Sequence, residues 1–229
     1  MLMIAKGVQG WFEIGDMIVL SALIRKNQPM KILEIGSWKG RSTSVIILSA
    51  PENAKIVCVD SWEDGNNFDD SNEIKGEIKG IDTLEQFKKQ VLALINTYRP
   101  DVEVEFMRID SKHFVFQYEE EFKNSFDFIF VDGDHSYVGV KHDVMGIMPM
   151  LKENGILCGH DCHVVTPGVF NYLKEEMPFV RVVKFEDPNI ITSVWSTTWE
   201  DVKKNFIDNE EFWELRNKCK ANWESVCRK

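Results

Sequence analysis

The stretch from Lys31 to Thr43 constrains the fold most. A near-apolar run ends at Gly36, a second glycine follows at Gly40, and a polar helix start begins at Arg41. A buried strand that turns on glycine into a helix is the building unit of doubly wound sheets. The crevice above such a turn holds nucleotide-like cofactors. The glycines are spaced G-x-x-x-G, unlike the G-x-G-x-x-G of a pyrophosphate site. Glu34 sits at the strand end, and Asp60 closes the next apolar run, Ile56 to Val59. Carboxylates at these places suit a ligand with hydroxyls and a cationic amino group better than one with phosphates.

Apolar runs then alternate with helical spacing along the chain, the signature of right-handed βαβ units and an α/β fold. Strands are predicted over 31–35, 55–60, 102–107, 126–132, 155–160, 179–185 and 191–197. Helices are predicted over 11–26, 41–50, 82–98, 112–120, 137–151 and 167–176. The expected division is a helical cap over 1–28, a cofactor-binding domain over 29–198, and a helical extension of the same globule over 199–229. Polar, acidic Ser61 to Gly80 reads either as a lid over the site, where Glu63, Asp64, Asp69 and Asp70 can meet hydroxyls, or as a solvated loop. The aromatic tail from Trp199 is expected to pack on the sheet or on a partner subunit, so a homo-oligomer is a possible state.

A formal net charge of -10 disfavours nonspecific binding to nucleic acid or to an anionic membrane. The apolar stretch Met17 to Ile24 is broken by Ser21 and is too short to span a bilayer. No signal peptide is evident at the N-terminus. The five cysteines are an odd set, and Cys58 and Cys158 fall in predicted buried strands, which suits free thiols in a reducing compartment. A cytoplasmic location is expected.

Within the glycine motif, Gly36 and Gly40 let a ligand approach the backbone. The helix start offers free amides to a carboxylate, with the Ser37 hydroxyl assisting. Asp60 can accept from a pair of vicinal hydroxyls. Trp62 is either a stacking partner for a flat base or an ordinary loop aromatic. Asp110 and Ser111, after the third strand, read as a contact to the base, as a helix N-cap, or as both.

The strongest catalytic signal is Phe126 to Tyr137. A near-continuous apolar strand delivers Asp132 to its C-terminal edge, followed by Gly133, Asp134 and His135. One strand later, Gly155 to Cys158 leads to His160 and Asp161. Asp132 and Asp161 therefore end neighbouring strands, close enough to share a metal ion or a substrate hydroxyl. His135 reads as a general base, or as a cap on the helix behind it, and His142 as a surface residue. Cys158, His160, Cys162 and His163 form a rival zinc set, although strand alternation buries Cys158 and the spacing is no standard knuckle.

The blocks D-G-D-H-S-Y-x-G-V-K-x-D, L-K-x-N-G-I-L-x-G-H-D and Pro167-Gly168-Val169, with the Glu34–Gly40 motif ahead of them, resemble a subgroup of class I S-adenosylmethionine (SAM)-dependent methyltransferases. Its members occur among glycan- and natural-product-modifying enzymes. The resemblance covers about residues 30 to 175. It implies a Rossmann-like, mostly parallel seven-stranded sheet of order 3-2-1-4-5-7-6 with helices on both faces. It also implies SAM as cofactor, S-adenosylhomocysteine (SAH) as product, and O-methylation of a small-molecule or glycan hydroxyl. Glu34, Gly36, Ser37, Gly40, Asp60, Trp62, Asp110, Ser111 and Asp132 would then bind cofactor, with His135, Asp132 and Asp161 catalytic. Metal-dependent relatives of the catechol O-methyltransferase type match Asp132 and Asp161 as ligands of a divalent metal. Cys162 stands where they carry Asn, which weakens the case for a hard ion. A noncatalytic SAM- or nucleotide-binding module stays open, and so does a nicotinamide-dependent oxidoreductase, which lacks its fingerprint glycine because Trp38 occupies that position.

Overall fold

The computed structural model describes residues 2–63 and 83–227. Five strands pair in parallel: β1 (Lys31–Ile35), β2 (Lys55–Asp60), β3 (Glu103–Arg108), β4 (Phe126–Val131) and β5 (Leu151–Gly159). Two short strands, β6 (Arg181–Val182) and β7 (Trp195–Ser196), complete a seven-stranded sheet of order 3-2-1-4-5-7-6. β7 runs antiparallel to both of its neighbours. The sheet order is the expected one, and its direction reverses between β1 and β4, which opens a crevice at their C-terminal ends.

Alternation along the strands feeds two apolar clusters. Ile32, Ile56, Phe128 and Phe130 face α1 (Leu2–Lys6), α2 (Ile14–Asn27), α3 (Arg41–Ser49) and α4 (Thr83–Tyr98). Leu33, Val57, Ile129 and Leu157 face α5 (Ser111–Gln117), α6 (Tyr137–Ile147), α7 (Pro167–Glu176) and α8 (Trp199–Val202). The final helix, α9 (Glu210–Cys227), docks on the second face. Buried Arg216 donates from Nε to the Met145 carbonyl at 2.9 Å, and its Nη2 lies 2.7 Å from Glu119. The tail thus packs within the chain.

Several predicted bounds shift for identifiable reasons. α2 starts at Ile14 and leaves Trp11 and Phe12 outside, because Glu13 and Asp16 form a reciprocal capping box. The predicted helix 137–151 stops at Ile147, where Pro149 lies in a tight 3₁₀ turn over Met148–Met150. Leu151 already pairs with Phe126, so β5 begins earlier than expected and carries an irregularity where Asn154 turns left-handed. The predicted strands 179–185 and 191–197 shrink to two residues each at the sheet edge. The predicted lid, beyond residues 61–63, lies outside the described residues. Among the described residues no helix is long and apolar enough to cross a membrane. Cys58, Cys158, Cys162 and Cys219 are free thiols.

Candidate functional site

A cavity of about 970 Å³ opens at the C-terminal ends of β1, β2 and β4. Every residue predicted for the site lines it except Glu34. Period-two alternation puts Glu34 on the same face as Ile32, beneath α3, and it is fully buried there. Its carboxylate accepts from the hydroxyls of Ser37 at 2.7 Å, Ser42 at 2.6 Å and Thr43 at 2.5 Å. Burial pushes Glu34 up to about 7 against the pull of those hydroxyls. Glu34 builds the glycine loop and does not face the ligand space. Ser37 lines the cavity, but its hydroxyl proton is committed to Glu34, so toward a ligand its oxygen can only accept.

The two glycines have different reasons to be glycine. Gly36 has φ 86°, and a Cβ there would stand 2.0 Å from the Asp132 carbonyl oxygen, so the loop lies against the end of β4. Gly40 has φ 90° and caps α3, while a Cβ there would meet Phe87 of α4 at 2.9 Å. The first-turn amides of α3 have no intrahelical acceptor and stand beside the cavity.

Asp60 accepts from the backbone N–H of Trp38 at 2.8 Å and of Trp62 at 2.7 Å, one on each oxygen. Burial raises its pKa despite these bonds. Each oxygen keeps a further lone pair for the cavity. Trp62 is only 2% exposed. It packs on Phe87 at 5.0 Å and donates from Nε1 to the Trp38 carbonyl at 2.9 Å, so it is a wall with little open face. Asp110 is the N-cap of α5, accepting from the Lys112 N–H at 2.8 Å, and both it and Ser111 border the cavity.

Opposite the glycine loop, Asp132, His135 and Asp161 converge. His135 Nε2 lies 3.0 Å from Asp161 Oδ2 and 3.6 Å from Asp132 Oδ1. His135 is not the helix cap: Ser136 Oγ accepts from the Gly139 N–H at 3.0 Å. Burial pushes His135 down, but the hydrogen bond and charge of Asp132 and the charge of Asp161 outweigh it, and its pKa is raised. Asp134 is held by Lys112 at 2.8 Å and by the Ser136 N–H at 2.9 Å, which leaves it outside the cluster. Gly168, at the start of α7, sits where a Cβ would be 2.2 Å from the His135 carbonyl oxygen, so α7 braces the His135 backbone.

His160 is the residue that sequence reading undervalued. The zinc set makes it a metal ligand, yet its Nε2 lies 3.2 Å from Asp16 and 2.9 Å from Ser193 Oγ, while Nδ1 lies 3.4 Å from both Asp132 and Asp161. Burial opposes its charge, but the surrounding acids, Asp132 foremost, hold it well above the ordinary histidine range. Burial also opposes the ionisation of Asp161, and His160 and His135 overcome this to bring it to about 2.

The zinc set does not assemble. Cys158 is buried in the sheet against the Ile129 carbonyl, and Cys162 packs against the second apolar cluster. Asp132, His135 and Asp161 are the group, among the described residues, whose donor atoms lie within 4.8 Å of one another. Two carboxylates and an imidazole with no thiolate fit a divalent ion that tolerates nitrogen. His142 is corrected from surface to half-buried. Its ring meets Phe116 edge-on at 4.9 Å, and burial lowers its pKa to about 4.

A family model described as "Methyltransferase domain" matches residues 33–162, more than half of the chain. No curated protein matches it. Among solved structures, the calicheamicin methyltransferase CalS11 is 16% identical with a TM-score of 0.59, covering 82% of this chain and 81% of that one. The O-methyltransferase from Bacillus cereus in complex with SAH is 14% identical with a TM-score of 0.53, covering 85% and 86%. The O-methyltransferase TomG from Streptomyces achromogenes, in complex with SAM, is 13% identical with a TM-score of 0.52, covering 81% and 80%. These likenesses bear on the fold.

Proposed function

The chain belongs to the family of methyltransferase domains, and on that premise we propose that it is a SAM-dependent O-methyltransferase acting on a hydroxyl of a small molecule or glycan. One observation carries the reading. A single cavity has the glycine loop, the α3 amides and Asp60 on one side, and the Asp132–His135–Asp161 cluster on the other. The solved structures with SAM or SAH bound support the cofactor, and their O-methyltransferase titles support oxygen as acceptor. The free cysteines support a reducing compartment, and we assign the cytoplasm.

SAM supplies a methyl group already activated on a sulfonium, so the protein's work is alignment and proton removal. Asp60 takes the ribose hydroxyls on its free lone pairs, and the amides at α3 take the methionine carboxylate. Asp110 and Ser111 border the adenine, with Trp62 as its wall. His135 accepts the acceptor's proton, oriented by Asp161 at 3.0 Å. His135 must be neutral to take that proton, and because Asp132 and Asp161 raise its pKa, proton removal strengthens as pH rises through it. In the alternative scheme His135 is a ligand and not the base: Asp132, Asp161 and His135 would hold a divalent ion, which when bound makes a hydroxyl more acidic.

Calorimetric titration with SAH, with and without Mg²⁺, tests the proposal alongside Asp60→Ala. We expect 1:1 binding that the variant weakens about 100-fold, the loss of two charge-assisted hydrogen bonds. No binding to the wild-type protein in either condition would sink the cofactor reading. Incubation with SAM and a panel of phenols and glycosides then reads SAH release for the acceptor class.

A further inference from the structure

Asp16 belongs to α2, in a segment that carries no recognisable motif, yet it is 4% exposed and fully engaged. Its Oδ2 accepts from the Glu13 N–H at 3.0 Å and lies 3.2 Å from His160 Nε2, while Oδ1 accepts from the Ser193 N–H at 2.8 Å. Ser193 Oγ meets the same ring nitrogen at 2.9 Å. The His160 ring is covered by Phe12 at 4.9 Å, and its carbonyl is held by Trp195 Nε1 at 3.0 Å. From that fixed ring, Nδ1 points between Asp132 and Asp161, 3.4 Å from each. Asp161 has φ 61°, a left-handed backbone that costs about 1 kcal/mol outside glycine. His160, His135 and Thr166 Oγ1 at 3.4 Å hold its carboxylate.

An imidazole with carboxylates on both nitrogens is a strut, because its two donors are fixed on opposite sides of one rigid ring. We propose that Asp16 and His160 are positioning residues. Asp16 fixes His160, which sets the direction of the Asp132 and Asp161 carboxylates and, through Asp161, the His135 ring. The N-terminal helix is then part of the active site. This rests on the reading of Asp132, His135 and Asp161 as the proton-accepting group.

The test needs no acceptor. Protein labelled with ¹⁵N at histidine is examined by NMR, free and with SAH, as wild type, Asp16→Asn and Glu13→Ala. His160→Gln assigns the strut, and His135→Gln assigns the base. In the wild type, His160 should give exchange-protected imidazole N–H signals downfield of the amides. Asp16→Asn should shift the Nε2–H signal upfield, with Ser193 Oγ still at that nitrogen, and should shift the His135 resonances, which Asp16 reaches through His160. SAH affinity should stay within about two-fold, as for independent sites. Glu13→Ala removes the side-chain half of the capping box and should leave His135 unmoved, which separates positioning from helix capping. Unchanged His135 resonances in Asp16→Asn, or an equal shift in Glu13→Ala, would overturn the proposal. If Asp16→Asn does not fold, His160→Gln removes the strut and keeps Asp16, and unmoved His135 resonances there overturn the proposal equally. If SAH fails to bind the wild type, the cofactor reading falls, while the spectra of the free protein still decide the strut.

Discussion

Replacing Glu34 by Gln gives the sharpest physical test of how the glycine loop is built. The carboxyl ionises near 4.5 when unfolded and at about 7 when folded, because burial outweighs the three hydroxyls that favour its anion. The folded protein therefore holds a proton there that the unfolded chain has released. The contribution of this group is fully present below about 4.5 and is lost as pH rises through about 7. The gap between the two values corresponds to about 3 kcal/mol. Gln keeps the shape, can still accept from a hydroxyl, and does not titrate.

The assay is urea unfolding of wild type and Glu34→Gln at several pH values from about 5 to about 8. Subtracting one protein from the other cancels the groups they share. The stability difference should move in favour of Gln by up to about 3 kcal/mol across that window, with equal m-values. A difference that stays flat with pH would refute the reasoning, since Glu34 would then ionise alike in both states. A difference that moves against Gln would mean that the hydroxyls outweigh burial.

Two further substitutions test the bracing of the site and of the tail. Gly168→Ala places a methyl 2.2 Å from the His135 carbonyl oxygen and 2.7 Å from the Tyr137 backbone nitrogen. Neither neighbour is a flexible side chain, so a loss of about 1–3 kcal/mol is expected in urea unfolding, and an unchanged midpoint would contradict the close packing of α7. Arg216→Ala removes the bonds to Glu119 and to the Met145 carbonyl from a side chain that is nearly inaccessible. Lys220 still pairs with Glu119 at 2.6 Å, so the loss should sit near the lower end for a broken buried pair, about 3 kcal/mol, read as a lowered unfolding midpoint.

The parallel strands β1, β2 and β4 were legible because each carries a near-continuous apolar run, the pattern of a strand covered on both faces, while the edge strand β3 showed alternation instead. β6 and β7 were placed within the predicted strands 179–185 and 191–197, but their extent was not legible, because two paired residues carry no periodicity long enough to bound. That Asp60, Asp132 and Asp161 border one cavity was legible because strand ends fix where a side chain emerges. Glu34 was located correctly and assigned the wrong neighbours. Alternation with Leu33 and Ile35 already placed it on the α3 face, and that signal was available. Asp16 and Ser193 could not be found. Their meeting at His160 depends on tertiary packing across most of the chain, and locally Asp16 reads only as half of a capping box.

The acidity of the cavity follows from the charge that the reaction moves. The donor enters as a sulfonium cation and leaves as a neutral thioether, while the hydroxyl proton has to go somewhere. If His135 keeps that proton, the imidazole gains the charge that the sulfur loses, and the net charge beside Asp132 and Asp161 stays constant through the transfer. Once protonated, the ring stands 3.0 Å from Asp161 and 3.6 Å from Asp132, so the two acids hold the charge it has gained. His160, held by Asp16 and set between the same two acids, keeps them from facing each other uncompensated when the site is empty. A neutral residue at position 160 would leave two partly buried carboxylates on adjacent strand ends with His135 as their only shared imidazole, and their repulsion would splay the geometry that proton removal requires. Acidic strand ends and a fixed histidine between them are therefore one device, and neither half is useful alone.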